Sequence, residues 1–94
     1  MEYKVLVHKP GDSTGVVITN IAVGEKVAGL VTENNTGFEL EACSNIPLGH
    51  KIALKPVAAG EKIIIYGWSC GYASQPISAG EHVHVHNMKS ARWR

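Results

Sequence analysis

Four short stretches of this chain repeat one pattern: an aliphatic residue, two residues, glycine, two mostly polar residues and a second aliphatic. They are Ile21-Ala22-Val23-Gly24-Glu25-Lys26-Val27, Ile46-Pro47-Leu48-Gly49-His50-Lys51-Ile52, Val57-Ala58-Ala59-Gly60-Glu61-Lys62-Ile63 and Ile77-Ser78-Ala79-Gly80-Glu81-His82-Val83. The first aliphatic anchors a tight turn in a core, glycine takes a backbone conformation that other residues resist, and the second aliphatic opens a strand. The spacings of 25, 11 and 20 residues are unequal, so the unit is a reused corner and not a solenoid period. A chain of 94 residues that turns at glycine this often buries a core only by interlocking short strands. The expected fold is all-β, one small domain of short strands with glycine corners spanning residues 1–94, with 88–94 as a basic C-terminal tail.

The rest of the chain agrees with that class. No window carries a 3.6-residue apolar period. Strands are expected over 3–8, with Tyr3, Val5 and Val7 inward, and over 14–19, 26–32, 38–43, 50–55 and 62–66. A short strand near Tyr72 and one starting at His82 complete the set. Lys9-Pro10-Gly11-Asp12-Ser13 reads as a turn in which Asp12 bonds its own downstream backbone, and the Asn/Gly-rich 33–37 closes a hairpin. With 45% hydrophobic and 18% charged residues the chain reads as globular, and a net charge of +1 carries no general signal for nucleic acid or an acidic membrane. No apolar run approaches a membrane span and the start lacks a secretory apolar region, so the expected compartment is cytoplasmic. Two cysteines, Cys43 and Cys70, are too few for a disulfide framework.

The chemistry-bearing residues concentrate in Gly80-Glu81-His82-Val83-His84-Val85-His86-Asn87-Met88-Lys89. Three of five histidines stand at every second position, which in a continuous strand aligns their imidazoles on one face and sends Val83 and Val85 to the other. On such a strand the outer two are about 13 Å apart. All three then cannot ligate one ion, although an adjacent pair can. A solvated strand face is the plain alternative.

At these residues the chain resembles a known family. The corner Ile46-Pro47-Leu48-Gly49-His50-Lys51-Ile52-Ala53-Leu54, then Gly60-Glu61, Tyr66-Gly67, Gly71-Tyr72-Ala73 and the ending from Gly80 through His82, His84, His86, Asn87 and Lys89 are similar to the small N-terminal module of altronate and galactarate dehydratases. They are equally similar to the free-standing small (alpha) subunit of (2R)-sulfolactate sulfo-lyase. His8 with Asp12-Ser13-Thr14-Gly15-Val16-Val17 resembles the family's first corner, whereas Trp68-Ser69-Cys70 departs from its pattern. The module is the SAF domain, also resembling type III antifreeze protein, the C-terminal domain of sialic acid synthase and a flagellar P-ring chaperone. The implied fold is a β-clip.

The resemblance implies elimination of water or bisulfite from a hydroxy acid. Such a reaction takes the proton α to a carboxylate and expels a β leaving group, for which a divalent metal is the usual support. Imidazoles suit iron, manganese or zinc alike. His84 and His86 are then the first candidates as metal or substrate ligands, His82 an acid/base or supporting group, and Asn87 a hydrogen-bond partner of substrate. His50 and Lys51 are candidate substrate contacts, each with a plain alternative in a turn hydrogen bond or a solvated charge. The 94 residues supply neither a walled pocket nor an acid–base constellation beyond the histidines, and the resemblance then implies a large catalytic lyase subunit as partner, with a homo-oligomer possible. The opposing reading is a non-catalytic SAF-type module that binds carbohydrate or protein. Cys70 has the exposure of a nucleophile but no neighbouring base in sequence, and packing or incidental exposure is the favoured reading. Tyr66 and Trp68 can stack on a sugar or lid a core, and Arg92, Trp93 and Arg94 in the tail can anchor an interface or fray.

Overall fold

The computed structural model describes residues 2–65 and 67–90, so Tyr66 and the tail residues Arg92, Trp93 and Arg94 lie outside the described residues. The described residues form nine strands: β1 (Tyr3–Val7), β2 (Thr14–Val17), β3 (Lys26–Val31), β4 (Thr36–Glu41), β5 (Lys51–Ala53), β6 (Lys62–Ile65), β7 (Trp68–Ala73), β8 (His82–Val83) and β9 (Met88–Ser90). The class is all-β, and no helix is long and apolar enough to cross a membrane. Six strands make one sheet in the order β4-β3-β1-β2-β5-β8, and β6-β7-β9 make a second. The β1–β3 pair is parallel and the other ladders are antiparallel.

Alternation in β1 buries Val5 and Val7, as expected. β3 and β4 pair from Lys26↔Glu41 to Val31↔Thr36 around a turn in which Asn35 has φ 60°, a conformation asparagine tolerates better than most residues. Asp12 bonds well beyond its own turn. Its buried carboxylate accepts from the backbone N–H of Lys9 at 3.2 Å and of Gly67 at 2.9 Å, tying the first turn to the second sheet. Ser13 does the same with Ile64, donating its N–H to the Ile64 carbonyl and accepting the Ile64 N–H at its hydroxyl.

The four glycine corners are four copies of one clasp. Gly24, Gly49, Gly60 and Gly80 have φ between 84° and 88°, and the residue after each donates its N–H to the carbonyl three positions back. That is a type II turn, whose third position needs a positive φ and therefore glycine. Each glycine N–H then donates to a residue in or directly after a strand, whose own N–H returns a bond to the residue after the glycine. The pairs are Gly24/Glu25 with Ala42, Gly49/His50 with Val17, Gly60/Glu61 with Ala73, and Gly80/Glu81 with Ala53.

These clasps come in two sets, joined by the bridges Ile21↔Ile46 and Val57↔Ile77. Val17, Ile21, Val27, Ala42, Ile46 and Ile52 belong to one core, with Val5 and Val7 added from β1. Their counterparts Ala53, Val57, Ile63, Ala73, Ile77 and Val83 make the other. The unequal corner spacings thus conceal an internal duplication. Each copy buries its own core, and β5 serves both, with Ile52 in the first core and Ala53 in the second.

Two stretches differ from expectation. The histidine strand ends after Val83, and residues 84–87 turn, leaving Val85 69% exposed where an inward position was expected. Met88–Ser90, read from sequence as the start of the tail, pairs with β7 as Ala73↔Met88, Tyr72↔Lys89 and Gly71↔Ser90.

Candidate functional site

The turn at His84 gathers the imidazoles instead of spreading them along a strand. His82 and His86 ring centroids are 5.4 Å apart, against the roughly 13 Å separation expected for the outer pair of a straight strand. His50 joins from the second corner, because β5 pairs with β8 as Ile52↔His82 and Lys51↔Val83. Its Nδ1 lies 2.8 Å from His82 Nε2, and its ring centroid is 4.6 Å from that of His84. His82 and His84 stack with centroids 5.6 Å apart and planes 10° from parallel. One nitrogen from each of His50, His82 and His84 lies within 4.8 Å of the other two.

Asn87 makes the turn that does this. Fully buried, it accepts the His84 N–H at 3.0 Å with Oδ1 and donates from Nδ2 to the His82 carbonyl at 2.9 Å and to Glu81 at 3.4 Å. Expected from sequence to contact substrate, its amide is committed to the protein. Asn87→Ala leaves the part-buried His84 N–H and His82 carbonyl without this partner, and at about 1–3 kcal/mol per unsatisfied buried group, reduced by access to water, the expected loss is roughly 1–3 kcal/mol. Urea unfolding checks the loss, and Asn87→Asp, which keeps the acceptor for His84, is expected to recover part of it.

His50 is free for the cluster because its corner differs from the other three. At those, the glutamate after glycine accepts the N–H three residues back: Glu25 from Ala22, Glu61 from Ala58 and Glu81 from Ser78, at 2.8–3.1 Å. At the second corner that position is Pro47, which has no N–H to donate. A carboxylate there would have nothing to bond. An imidazole stands in its place and faces His82.

The donor set fits a divalent metal ion. Nitrogens bound at 2.0–2.1 Å with adjacent angles near 90–110° lie about 2.9–3.4 Å apart, within small side-chain rotations of the spacing found. Partial burial and the neighbouring His50, His86 and His84 rings push the His82 imidazole below its ordinary 6.5, favouring the neutral form that ligates. The sign for stability follows. Below 6.5 the unfolded chain binds a proton at His82 that the folded chain refuses, so stability is full above that value and declines as pH falls through the lower folded one. The melting temperature of metal-free protein is expected to fall on acidification from about pH 7 to 5.5, with a shallower slope in His82→Gln.

The remaining candidates are not brought to this cluster. Lys51 alternates with His50 and lies opposite Val83 on the far face of β5, where its charge bears on Cys70. Cys70 turns its Sγ onto the Ile63 carbonyl at 3.5 Å, and burial pushes the thiol up in spite of Lys51. It is held as a thiol. Trp68 is 77% exposed and lids no core. His8, Asp12 and Thr14 line a separate hollow of about 260 Å³ with Leu6, Val16 and Ile65. His86 contacts the His82 ring, and the trio of convergent nitrogens contains His50 where the sequence pointed to His86. The exchange of glutamate for histidine in a corner that begins with proline is the signal that marks His50.

Residues 3–91 match the altronate/galactarate dehydratase SAF domain family. The chain is 37% identical over 94 residues to the (2R)-sulfolactate sulfo-lyase subunit alpha of Chromohalobacter salexigens, covering 99% of this chain and 100% of that subunit. It is 44% identical over 64 residues to the subunit of the same name in Paracoccus pantotrophus, covering 68% of this chain and 96% of that one. Against the altronate dehydratase of Bacillus subtilis it is 37% identical over 90 residues, which are 96% of this chain and 17% of that enzyme. Corner repeat, all-β architecture and near full-length match agree: the chain belongs to the altronate/galactarate dehydratase SAF domain family.

Proposed function

We propose that this chain is the small component of a two-part lyase that eliminates water or bisulfite from a hydroxy acid, with His50, His82 and His84 forming its contribution to the active site. The observation that carries the reading is the convergence of these three imidazoles at an open surface, built by a turn and a corner that both depart from simple β pattern. Full-length similarity to one sulfo-lyase alpha subunit, and similarity to a short part of altronate dehydratase, support a chain that works with a larger one.

The reaction breaks the C–H bond α to the carboxylate, passing its proton to a base. The released electron pair forms the new double bond, and the β C–O or C–S bond breaks with its pair on the leaving group, which takes a proton from an acid to depart as water or bisulfite. His50, His82 and His84 would hold a divalent ion such as iron, manganese or zinc, which when bound supports negative charge on the substrate carboxylate. His86, whose ring lies against His82 and is exposed, would take or return a proton at its ring nitrogen. Asn87 and the Pro47 corner fix the ring positions. The carboxylates and walls of a closed pocket come from the larger chain.

The test is co-expression with the same organism's larger chain similar to the part of altronate dehydratase that this one does not span. Metal analysis and elimination assays with altronate and sulfolactate follow. A complex active on either substrate is expected, and the active substrate names the leaving group. A stable chain that neither binds the larger chain nor supports elimination defeats the reading in favour of a non-catalytic binding module.

A further inference from the structure

We infer that the end of the molecule formed by the first corner pair, with Val23, Leu48 and Ile18 at its surface, is where the larger lyase chain docks, closing over the histidine cluster beside it. This rests on the two-part lyase reading. The internal duplication supplies its own control. A type II turn makes no demand for a large aliphatic at its second position, and the second copy has Ala59 and Ala79 there. The first copy has Val23 and Leu48, 59% and 61% exposed, with Ile18 at 42% nearby in sequence to the Val17 that clasps Gly49 and His50.

Both tips are also held in place. Asn20 Oδ1 accepts the Leu48 N–H at 2.9 Å and Asn45 Oδ1 accepts the Val23 N–H at 2.8 Å, each side chain reaching across to the opposite corner. The equivalent positions in the second copy are Pro56 and Pro76, which have no such side chain to offer. Next to the tips in the same two corners lies a hollow floored by Ile21, Ala22, Ile46 and Pro47, with Asn20, Asn45 and Glu25 also lining it. Preorganised aliphatic tips beside a hollow with an apolar floor and a polar rim have the anatomy of an interface centre.

The occupant follows from what adjoins the patch. Leu48 is two residues from His50, and Val85, 69% exposed, stands between His84 and His86. A partner seated on the tips therefore reaches the imidazoles, and among the described residues that cluster offers imidazoles alone. In the Bacillus subtilis altronate dehydratase the matching stretch is 17% of the enzyme, so a much larger remainder is there to cover it. Where the two parts are separate chains, the same contact runs through this surface.

The experiment titrates the full chain against the purified larger chain, comparing wild type with Leu48→Asp, Val23→Asp and the counterpart control Ala59→Asp. Melting temperatures are read alongside, and Leu48→Ser serves as a milder second variant. Leu48→Asp and Val23→Asp are each expected to weaken binding at least tenfold at unchanged melting temperature, and Ala59→Asp to bind as wild type. Wild-type affinity in both aspartate variants, in a complex that forms and turns over substrate, overturns the docking face and leaves the lyase reading standing. Self-association of the wild-type chain that Leu48→Asp abolishes, without effect on the larger chain, assigns the patch to a second copy and overturns it equally. No complex and no elimination with wild type removes the lyase reading and this inference together.

Discussion

Alanine at His84 is expected to reduce kcat of the assembled lyase on the order of 10²–10⁴-fold while leaving the chain folded and bound to its partner. The separation of effects comes from how this residue is held. Asn87 fixes the backbone N–H of His84, which alanine retains, whereas the imidazole is exposed and stacked on His82. Losing the ring removes a candidate ligand and leaves the turn intact. His50→Ala is expected to behave the same way, because the corner bonds at Gly49 and His50 are all backbone. His86→Ala is expected to be milder, on the order of tenfold, and to retain metal, since its ring meets His82 outside the convergent trio. Metal content after dialysis, kcat on altronate and sulfolactate, and melting temperature are the three readouts. Retention of metal and rate in His50→Ala together with loss of both in His86→Ala would replace the trio with the His84 and His86 pair that the sequence alone put forward.

The contrast between those two ligand sets locates what sequence pattern carries here. Period-two alternation correctly places Val83 in a core, and it is a statement about a strand that continues. It carries no information on where the strand stops. The stop is set by Asn87, whose side chain substitutes for ladder bonds at both His82 and His84, and a buried asparagine has the same letter as an exposed one. β9 escaped for a related reason. Its partner β7 lies well upstream in the chain, and Met88-Lys89-Ser90 has no alternation of its own. The corners were legible because a local rule governs them: positive φ at one position of a turn selects glycine whatever the rest of the chain does. What glycine spacing did not reveal is that the corners pair into two copies, since Ile21↔Ile46 and Val57↔Ile77 are contacts between turns. The significance of Pro47 and His50 needed both levels, the local rule and the carboxylate bonds of the other three corners.

Gly80→Ala is expected to be the most damaging single methyl in the molecule, and Gly60→Ala is its matched control. Both glycines sit at the third position of the same turn, with φ of 86° and 84°. A residue with a side chain in that conformation costs about 1–2 kcal/mol. Around Gly60 a new Cβ meets nothing within 4 Å, so Gly60→Ala should lose about that much and no more. At Gly80 the same Cβ falls 2.1 Å from the Glu41 carbonyl oxygen and 3.3 Å from the Cys43 nitrogen. Those atoms are backbone and cannot swing aside. They flank Ala42, which closes the Gly24 clasp in the first copy, and the Cys43 N–H donates to the Gly80 carbonyl itself at 2.9 Å. Relieving the clash therefore means parting the two copies where they interlock and shifting β8, which carries His82. The expected loss is about 3–5 kcal/mol, a large share of the roughly 5–15 kcal/mol that holds a domain of this kind together. Urea midpoints of the two variants measure the difference, and metal binding by Gly80→Ala under native conditions should fail along with the histidine geometry. Equal midpoints for Gly80→Ala and Gly60→Ala would mean that the positive φ is all the corners require, and that the two copies are not locked at Glu41 and Cys43.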